Sequence, residues 1–125
     1  MPSDQSFFFM VAKIHRLASR EFGQQLSCIG MTHGLAAFLL HLDLIGEGTS
    51  QRKVAASMEV EKPTAVRLVS RLEKMKLLEK RPYLGDKRRA AIYFTPTGRK
   101  MLSEVKAIYQ STNQTLFGLV DKEQL

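Results

Sequence analysis

The chain has 125 residues, of which 44% are apolar and 25% charged, and its formal net charge is +7. This composition is typical of one soluble domain with a modest core, and no apolar run approaches the roughly 20 residues of a membrane span. Cys28 is the single cysteine, which excludes an internal disulfide, so we expect a cytoplasmic protein without metal, cofactor or membrane partner.

Two helices are predicted in the N-terminal third. From residue 6 to about 25, apolar residues recur every three or four positions and predict an amphipathic helix. A second helix begins at Thr32 or His33 and runs to about Ile45, before a Gly-Glu-Gly sequence. Its apolar residues lie on nearly all sides, so we expect it to be buried, Leu44 included.

The next two helices predict a helix-turn-helix. Thr49 or Ser50 can cap a short third helix over Gln51–Met58. A fourth helix follows a tight break and has Pro63 in its first turn, where the missing N–H is harmless. Its two sides differ: the apolar side holds Ala65, Leu68, Val69, Leu72 and Met75, and the other side holds Thr64, Arg67, Ser70, Arg71 and Lys74.

A hairpin, or wing, is predicted after this fourth helix. Residues 79–83 can form one strand, residues 84–87 a turn, and residues 89–95 a second strand. Alternation places Ala90, Ile92 and Phe94 on one face and Arg89, Ala91 and Tyr93 on the other. Thr97 begins a long final helix.

The net charge is confined to the helix-turn-helix and the wing. Residues 52–89 contain twelve Lys or Arg and five Asp or Glu, and the remaining residues contain seven of each. A basic stripe alone is often only a solvated helix face, but a stripe beside a basic wing favours double-stranded DNA as partner. The alternative is a protein-interaction module whose basic face binds an acidic partner.

Individual contacts with DNA follow from the side-chain chemistry. Arg67 and Arg71 can each make a bidentate contact to guanine or a single contact to phosphate. Lys62 and Lys74, near the helix ends, suit phosphates, and the hydroxyls of Thr64 and Ser70 suit either. These positions fit the recognition helix of a DNA-binding helix-turn-helix.

The tip of the wing carries Asp86, Lys87 and Arg88. An arginine inserted into a narrow minor groove is attracted by its negative potential, and the Asp86 carboxylate can brace the guanidinium of Arg88. The alternative is a polar turn with incidental charges.

These motifs together resemble the MarR family of bacterial transcriptional regulators. The match comprises Pro-Thr-x-x-x-Leu-Val-x-x-Leu-Glu from Pro63, Asp-x-Arg from Asp86, and Thr-Pro-Thr-Gly ending at Gly98. The resemblance implies a mainly α (α+β) winged helix-turn-helix and a homodimer. Its DNA-binding lobe would span about 31–100 in a single domain, 1–125. Helices at about 5–27 and 97–125 would form the dimer interface, the last of them shortened.

The resemblance also implies roles for single residues and shows where this sequence departs from relatives. Arg88 would enter the minor groove with Asp86 steadying it. Glu59 and Lys76 stand where relatives have glycine, and a left-handed backbone there would cost about 1 kcal/mol each. Glu61 replaces the usual short N-cap residue.

The family also implies regulation by small aromatic ligands or oxidants. Candidate ligand residues are His15, Arg16, His33 and Phe38, with Met10 and Tyr109 as possible walls. No neighbouring cation favours a reactive Cys28 thiol, so a buried or inert cysteine is expected, with cysteine-based redox sensing as the alternative. The sequence predicts a repressor that a ligand releases. It offers no glycine-rich phosphate loop, nucleophile elbow or metal-ligand cluster for an enzyme.

Overall fold

The computed structural model describes the backbone of residues 4–83 and 86–123 and the side chains of residues 5–83 and 89–115. The helices are α1 (Asp4–Cys28), α2 (His33–Ile45), α3 (Gln51–Met58), α4 (Lys62–Lys74) and α5 (Pro96–Glu123). The strands are β1 (Thr49–Ser50), β2 (Leu78–Tyr83) and β3 (Asp86–Phe94). The five predicted helices and the hairpin are therefore present, together with a short strand that the sequence did not predict.

The chain divides into two compact units. A central unit comprises His33–Lys106, and a terminal unit comprises Met1–Thr32 and Ala107–Leu125. The helix α5 begins in the central unit and ends in the terminal unit. Within the described residues no single helix is long and apolar enough to cross a bilayer, and α1 and α2 reach that length and apolarity only when they are taken together across their break.

The core of the central unit is built on α2. Leu35, Phe38, Leu39 and Leu42 are fully or almost fully buried at helical spacing, and each such burial stabilises the fold by about 1.5–3 kcal/mol. The helix packs against α3 and α4. The expectation for Leu44 was wrong, because this residue, at the open C-terminal end of α2, is 78% exposed.

Polar contacts complete this core. Ser50 caps α3 as predicted, accepting a hydrogen bond from the Lys53 backbone N–H with its side chain. His41 Nδ1 and Ser57 Oγ lie 2.7 Å apart, and this hydrogen bond joins α2 to α3. The position of α3 is thus fixed from the α2 side.

The sheet is antiparallel with the order β1-β3-β2. Thr49 lies opposite Ile92, and Leu78 lies opposite Phe94. Because β3 is the central strand, Ala91 has Ser50 and Arg81 as partners and is buried, although the alternation of residues placed it on the face opposite Ile92.

In the terminal unit, α1 ends at a glycine turn. The N–H of Met31 donates to the carbonyl of Leu26, and Gly30 adopts a φ of 73°, which is the usual role of glycine after a helix. The rings of Phe22 and Tyr109 meet edge to face, with centroids 6.1 Å apart. By contrast, Phe7, Phe8 and Phe9 are 57%, 72% and 63% exposed.

Candidate nucleic-acid interface

The helix α4 presents one side to the core and the other to solvent. Of the predicted apolar stripe, Ala65, Val69 and Leu72 are buried and Leu68 and Met75 are half-buried. Glu61 is the N-cap residue and makes no side-chain capping bond. The negatively charged Glu61 therefore lies beside the N-terminal end of α4, and the N-terminal end of a helix is electropositive.

A residue with a left-handed backbone conformation lies on each side of α4. Glu59 has a φ of 58° and Lys76 a φ of 60°, and within the described chain they are the two residues other than glycine with positive φ. After Glu59, the N–H of Val60 donates to the Ala55 carbonyl, and after Lys76 the N–H of Leu77 donates to the Leu72 carbonyl. These are Schellman-type helix ends, and they confirm that both positions need the conformation that glycine adopts most easily.

A backbone junction fixes the exit of α4 relative to the start of α5. The Thr95 hydroxyl donates to the Lys76 carbonyl (2.6 Å) and accepts from the Gly98 N–H (2.9 Å). A Cβ on Gly98 would lie 1.9 Å from the Leu77 carbonyl oxygen. The glycine of the Thr-Pro-Thr-Gly motif is therefore required by a close backbone approach.

The outward side of α4 forms the recognition face, defined by Arg67, Ser70, Arg71 and Lys74, which are exposed, and Thr64, which is half-buried. A shallow concavity of about 460 Å³ follows it, lined by Val66, Arg67, Ser70, Arg71, Lys74 and Met75. Among the described residues, the side chains of this face form no intramolecular hydrogen bond or ion pair. Their donors remain available to an external acceptor.

Several basic residues of the central unit outside α3 and α4 have acidic partners. Lys80 lies 3.3 Å from Glu73, Lys106 lies 2.6 Å from Asp43, and Arg99 pairs with Glu47. Among the described residues of the central unit, most of the cations without an acidic partner lie on α3 and α4.

On the outer sheet face, Arg81 is held in place by its neighbours. Its guanidinium stacks over the Tyr93 ring at 4.1 Å and donates to Glu79. The hydrogen bond to Glu79 raises the pKa of Arg81. The guanidinium of Arg81 therefore already has partners within the sheet, Glu79 and Tyr93.

A second concavity, the basic groove, has a volume of about 620 Å³. Its cationic lining residues are Arg52, Lys53, Lys62, Lys80 and Arg89. The sequence reasoning selected Lys62 alone from this set. The other four belong to the charged segment 52–89. They come together only because β2 and β3 pack near the start of α3. The periodicity of a single helix or strand cannot reveal such a contact between elements.

The wing residues are described only in part. Asp86, Lys87 and Arg88 belong to β3, and Asp86 lies opposite Tyr83. Their side chains, and residues 84–85 of the predicted turn, lie outside the described residues.

The candidate ligand residues are distributed over both units. His15 and Arg16 are exposed on α1, His33 is exposed at the start of α2, and Phe38 is fully buried in the core of the central unit. Cys28, the last residue of α1, is exposed. Of the two expected states, buried or inert, the buried one was wrong, because Leu26 and Met31 occupy the buried positions at this helix end, and the inert state stays a prediction.

Comparison with known proteins begins from the sequence. No family model matches the chain. A proposed transcriptional regulatory protein for the hcr operon of Thauera aromatica is 28% identical over 98 residues, which are 78% of this chain and 58% of that protein. The chain thus spans less than two thirds of that relative.

Solved structures agree more extensively. A MarR transcriptional regulator from Methanosarcina mazei superposes with a TM-score of 0.79 at 19% identity, covering 92% of this chain and 82% of its own. Staphylococcus aureus MarR in complex with salicylate and kanamycin has a TM-score of 0.78 at 23% identity (91% and 75% covered). A mutant of S. aureus MepR bound to an oligodeoxyribonucleotide has a TM-score of 0.69 at 23% identity (99% and 88% covered).

The chain has the MarR fold. The predicted winged helix-turn-helix class and the resemblance to this family are confirmed at the level of the fold. In this MarR fold, α3 and α4 are the helix-turn-helix and β2 with β3 is the wing.

Proposed function

We propose that the protein is a transcriptional regulator that binds double-stranded DNA in a sequence-specific manner. The observation that carries the proposal is the row of unpaired donors on the recognition face of α4. The MarR fold and the oligodeoxyribonucleotide bound to the related MepR structure support it.

The dimensions of α4 suit the major groove. Arg67 and Arg71 are one helical turn apart, so their Cα atoms are displaced by about 6 Å along the axis. Since base pairs rise by about 3.4 Å, the two guanidinium groups can reach guanines about two base pairs apart. Bidentate contacts to guanine supply the specificity.

The phosphate backbone is assigned to the basic groove and the helix ends. Lys62 lines the groove, and Lys74 lines the concavity of the recognition face. Cations that neutralise phosphates add affinity and orient the protein but carry no sequence information. The basic groove therefore holds the DNA in position while α4 discriminates among sequences.

The wing supplies a further contact in this proposal. Arg88 enters the minor groove and Asp86 orients it, with Lys87 beside them. Arg88→Ala is expected to weaken binding to all sequences more evenly than Arg67→Ala or Arg71→Ala does.

Pairing of two chains is assigned to the terminal unit. The exposed Phe7, Phe8 and Phe9 are a cluster of apolar surface of the kind that marks interaction sites. A two-fold dimer would place two copies of α4 on half-sites about 10 bp apart. Occupation of such a site blocks promoter access, which is repression.

Release by a small aromatic ligand completes the proposed regulation. Salicylate bound to S. aureus MarR supports this chemical class. His15 and Arg16, both exposed on α1, supply polar groups for such a ligand, whereas Phe38 is fully buried in the core of the central unit.

A salt titration tests DNA binding. A binding site is first selected from a random duplex pool, and affinity for it is then measured by fluorescence anisotropy against salt concentration, with unrelated duplex as competitor. The logarithm of the affinity is expected to fall linearly with the logarithm of the salt concentration. A flat response, or equal affinity for all duplexes, would contradict specific DNA binding and would favour an acidic protein partner.

A further inference from the structure

Val66 is an exposed apolar residue among the polar and charged groups of α4. Its side chain is 45% exposed, and it lines the same concavity as Arg67, Ser70 and Arg71. It does not belong to the buried stripe of Ala65, Val69 and Leu72. An exposed β-branched residue is also a poor choice for helix stability, because its rotamers are restricted in a helix.

Helical spacing arranges the outward residues of α4 in two adjacent columns. Val66 and Ser70 are four residues apart and lie along one column, and Arg67 and Arg71 lie along the next. Val66 lines the same concavity as Arg67 and Arg71, so its two methyl groups belong to the same surface as the guanidinium groups that are available to bases. Val66 has no side-chain donor or acceptor, so it can distinguish bases only by an apolar contact.

The major groove offers one apolar group for such a contact, the C5-methyl group of thymine. Cytosine lacks this methyl, and the purines present polar atoms at the groove edge. An exposed valine on a recognition helix is thus complementary to thymine and to no other unmodified base.

We infer that Val66 is a specificity-determining residue that contacts a thymine methyl group within each half-site. The inference rests on the proposed function and adds a residue and a base to it. The thymine lies within about two base pairs of a guanine bound by Arg67 or Arg71, because the two columns share the same stretch of helix.

Replacement of single thymines by deoxyuridine tests this contact, because the exchange removes the methyl group and leaves base pairing intact. The thymines of the duplex selected by the unaltered protein are replaced one at a time. In each half-site, replacement of one particular thymine is expected to weaken binding about fourfold. This is about 0.8 kcal/mol, the value of one buried methyl or methylene group. For Val66→Ala the same exchange is expected to change affinity less than twofold.

Three controls separate this contact from other effects. Arg67→Ala, which also lies on the recognition face, is expected to bind more weakly and yet to retain the fourfold deoxyuridine effect. Val66→Ala is expected to keep its melting temperature, since Val66 is outside the core. Val66→Thr, which keeps one methyl and nearly the same shape, is expected to give an intermediate effect.

The outcomes are distinct. Failure to select any specific duplex would overturn the proposed function. Specific binding without a deoxyuridine-sensitive thymine, or with equal sensitivity in the unaltered protein and Val66→Ala, would overturn the role of Val66 and leave DNA binding intact.

Discussion

The central and terminal units differ in charge and in how completely they bury their apolar residues. The central unit contains fifteen Lys or Arg and eight Asp or Glu, and the terminal unit contains four of each, so the entire net charge of +7 belongs to the central unit. In the central unit, apolar residues of both the helices and the sheet are buried. In the terminal unit, Phe7, Phe8 and Phe9 remain exposed.

The contrast fits the two tasks of the proposed function, which are DNA binding and the pairing of two chains. A surface that binds a polyanion needs positive charge, and a rigid support keeps that charge in position. A surface that pairs with a second copy needs apolar area, and excess charge of one sign would oppose association.

The largest effect is expected from Gly98→Ala. The added Cβ would lie 1.9 Å from the Leu77 carbonyl oxygen, so the exit of α4 or the start of α5 must move. A loss of about 3 kcal/mol or more in the free energy of unfolding is expected, measured by urea denaturation. Gly34→Ala is the matched control, since its Cβ meets only a Leu68 side-chain methyl at 3.2 Å. Equal stability of the two variants would show that the junction is not rigid.

Phe8→Ser tests the apolar surface of the terminal unit. If the ring is buried between two chains, its loss is expected to weaken dimerisation by about 1.5–3 kcal/mol, which sedimentation equilibrium measures. Gln24→Ser, at another exposed position of α1, is the control and is expected to leave association unchanged. A monomeric unaltered protein at micromolar concentration would contradict the pairing of chains.

Arg71→Ala tests the charged surface of the central unit. A loss of about 1–3 kcal/mol in affinity for the selected duplex is expected if the contact to guanine is bidentate, with little loss for unrelated duplex. Lys100→Ala removes a charge from an exposed residue of α5 that lines neither the basic groove nor the concavity of the recognition face. A similar loss of specificity in Lys100→Ala would mean that overall charge, rather than α4, sets the affinity.

The smallest effect concerns the turns around α4. Glu59→Gly and Lys76→Gly are each expected to stabilise the protein by about 1 kcal/mol, because glycine adopts positive φ without the Cβ clash. Glu59→Ala and Lys76→Ala remove the same charges and keep the clash, so they serve as controls in thermal denaturation. Stabilisation by the alanine variants would assign the effect to charge and not to backbone conformation.

The local features of the fold were predictable from the sequence. A hydroxyl residue before the third helix, Thr49 or Ser50, is predictable as its cap, and Ser50 caps α3. The two sides of α4 followed from helical periodicity, and burial of Ala65, Val69 and Leu72 agrees with them. The left-handed turns at Glu59 and Lys76 were accessible only through the resemblance to relatives that have glycine there.

Features that depend on distant residues were not predictable in the same way. The strand β1 has two residues, too few to show a period of two, and it exists because β3 offers a free edge. The same pairing buries Ala91. The cations of the basic groove come from α3, α4, β2 and β3, so no single segment of sequence reveals their proximity.

The support of α4 is independent of its outward side chains. Ala65, Val69 and Leu72 anchor it from within, and backbone bonds at Glu59, Lys76 and Gly98 hold its ends. Exchange of the outward residues therefore leaves the scaffold undisturbed. Under the proposed function, mutation and selection can retarget such a helix to new operators, one outward position at a time, with little penalty in stability.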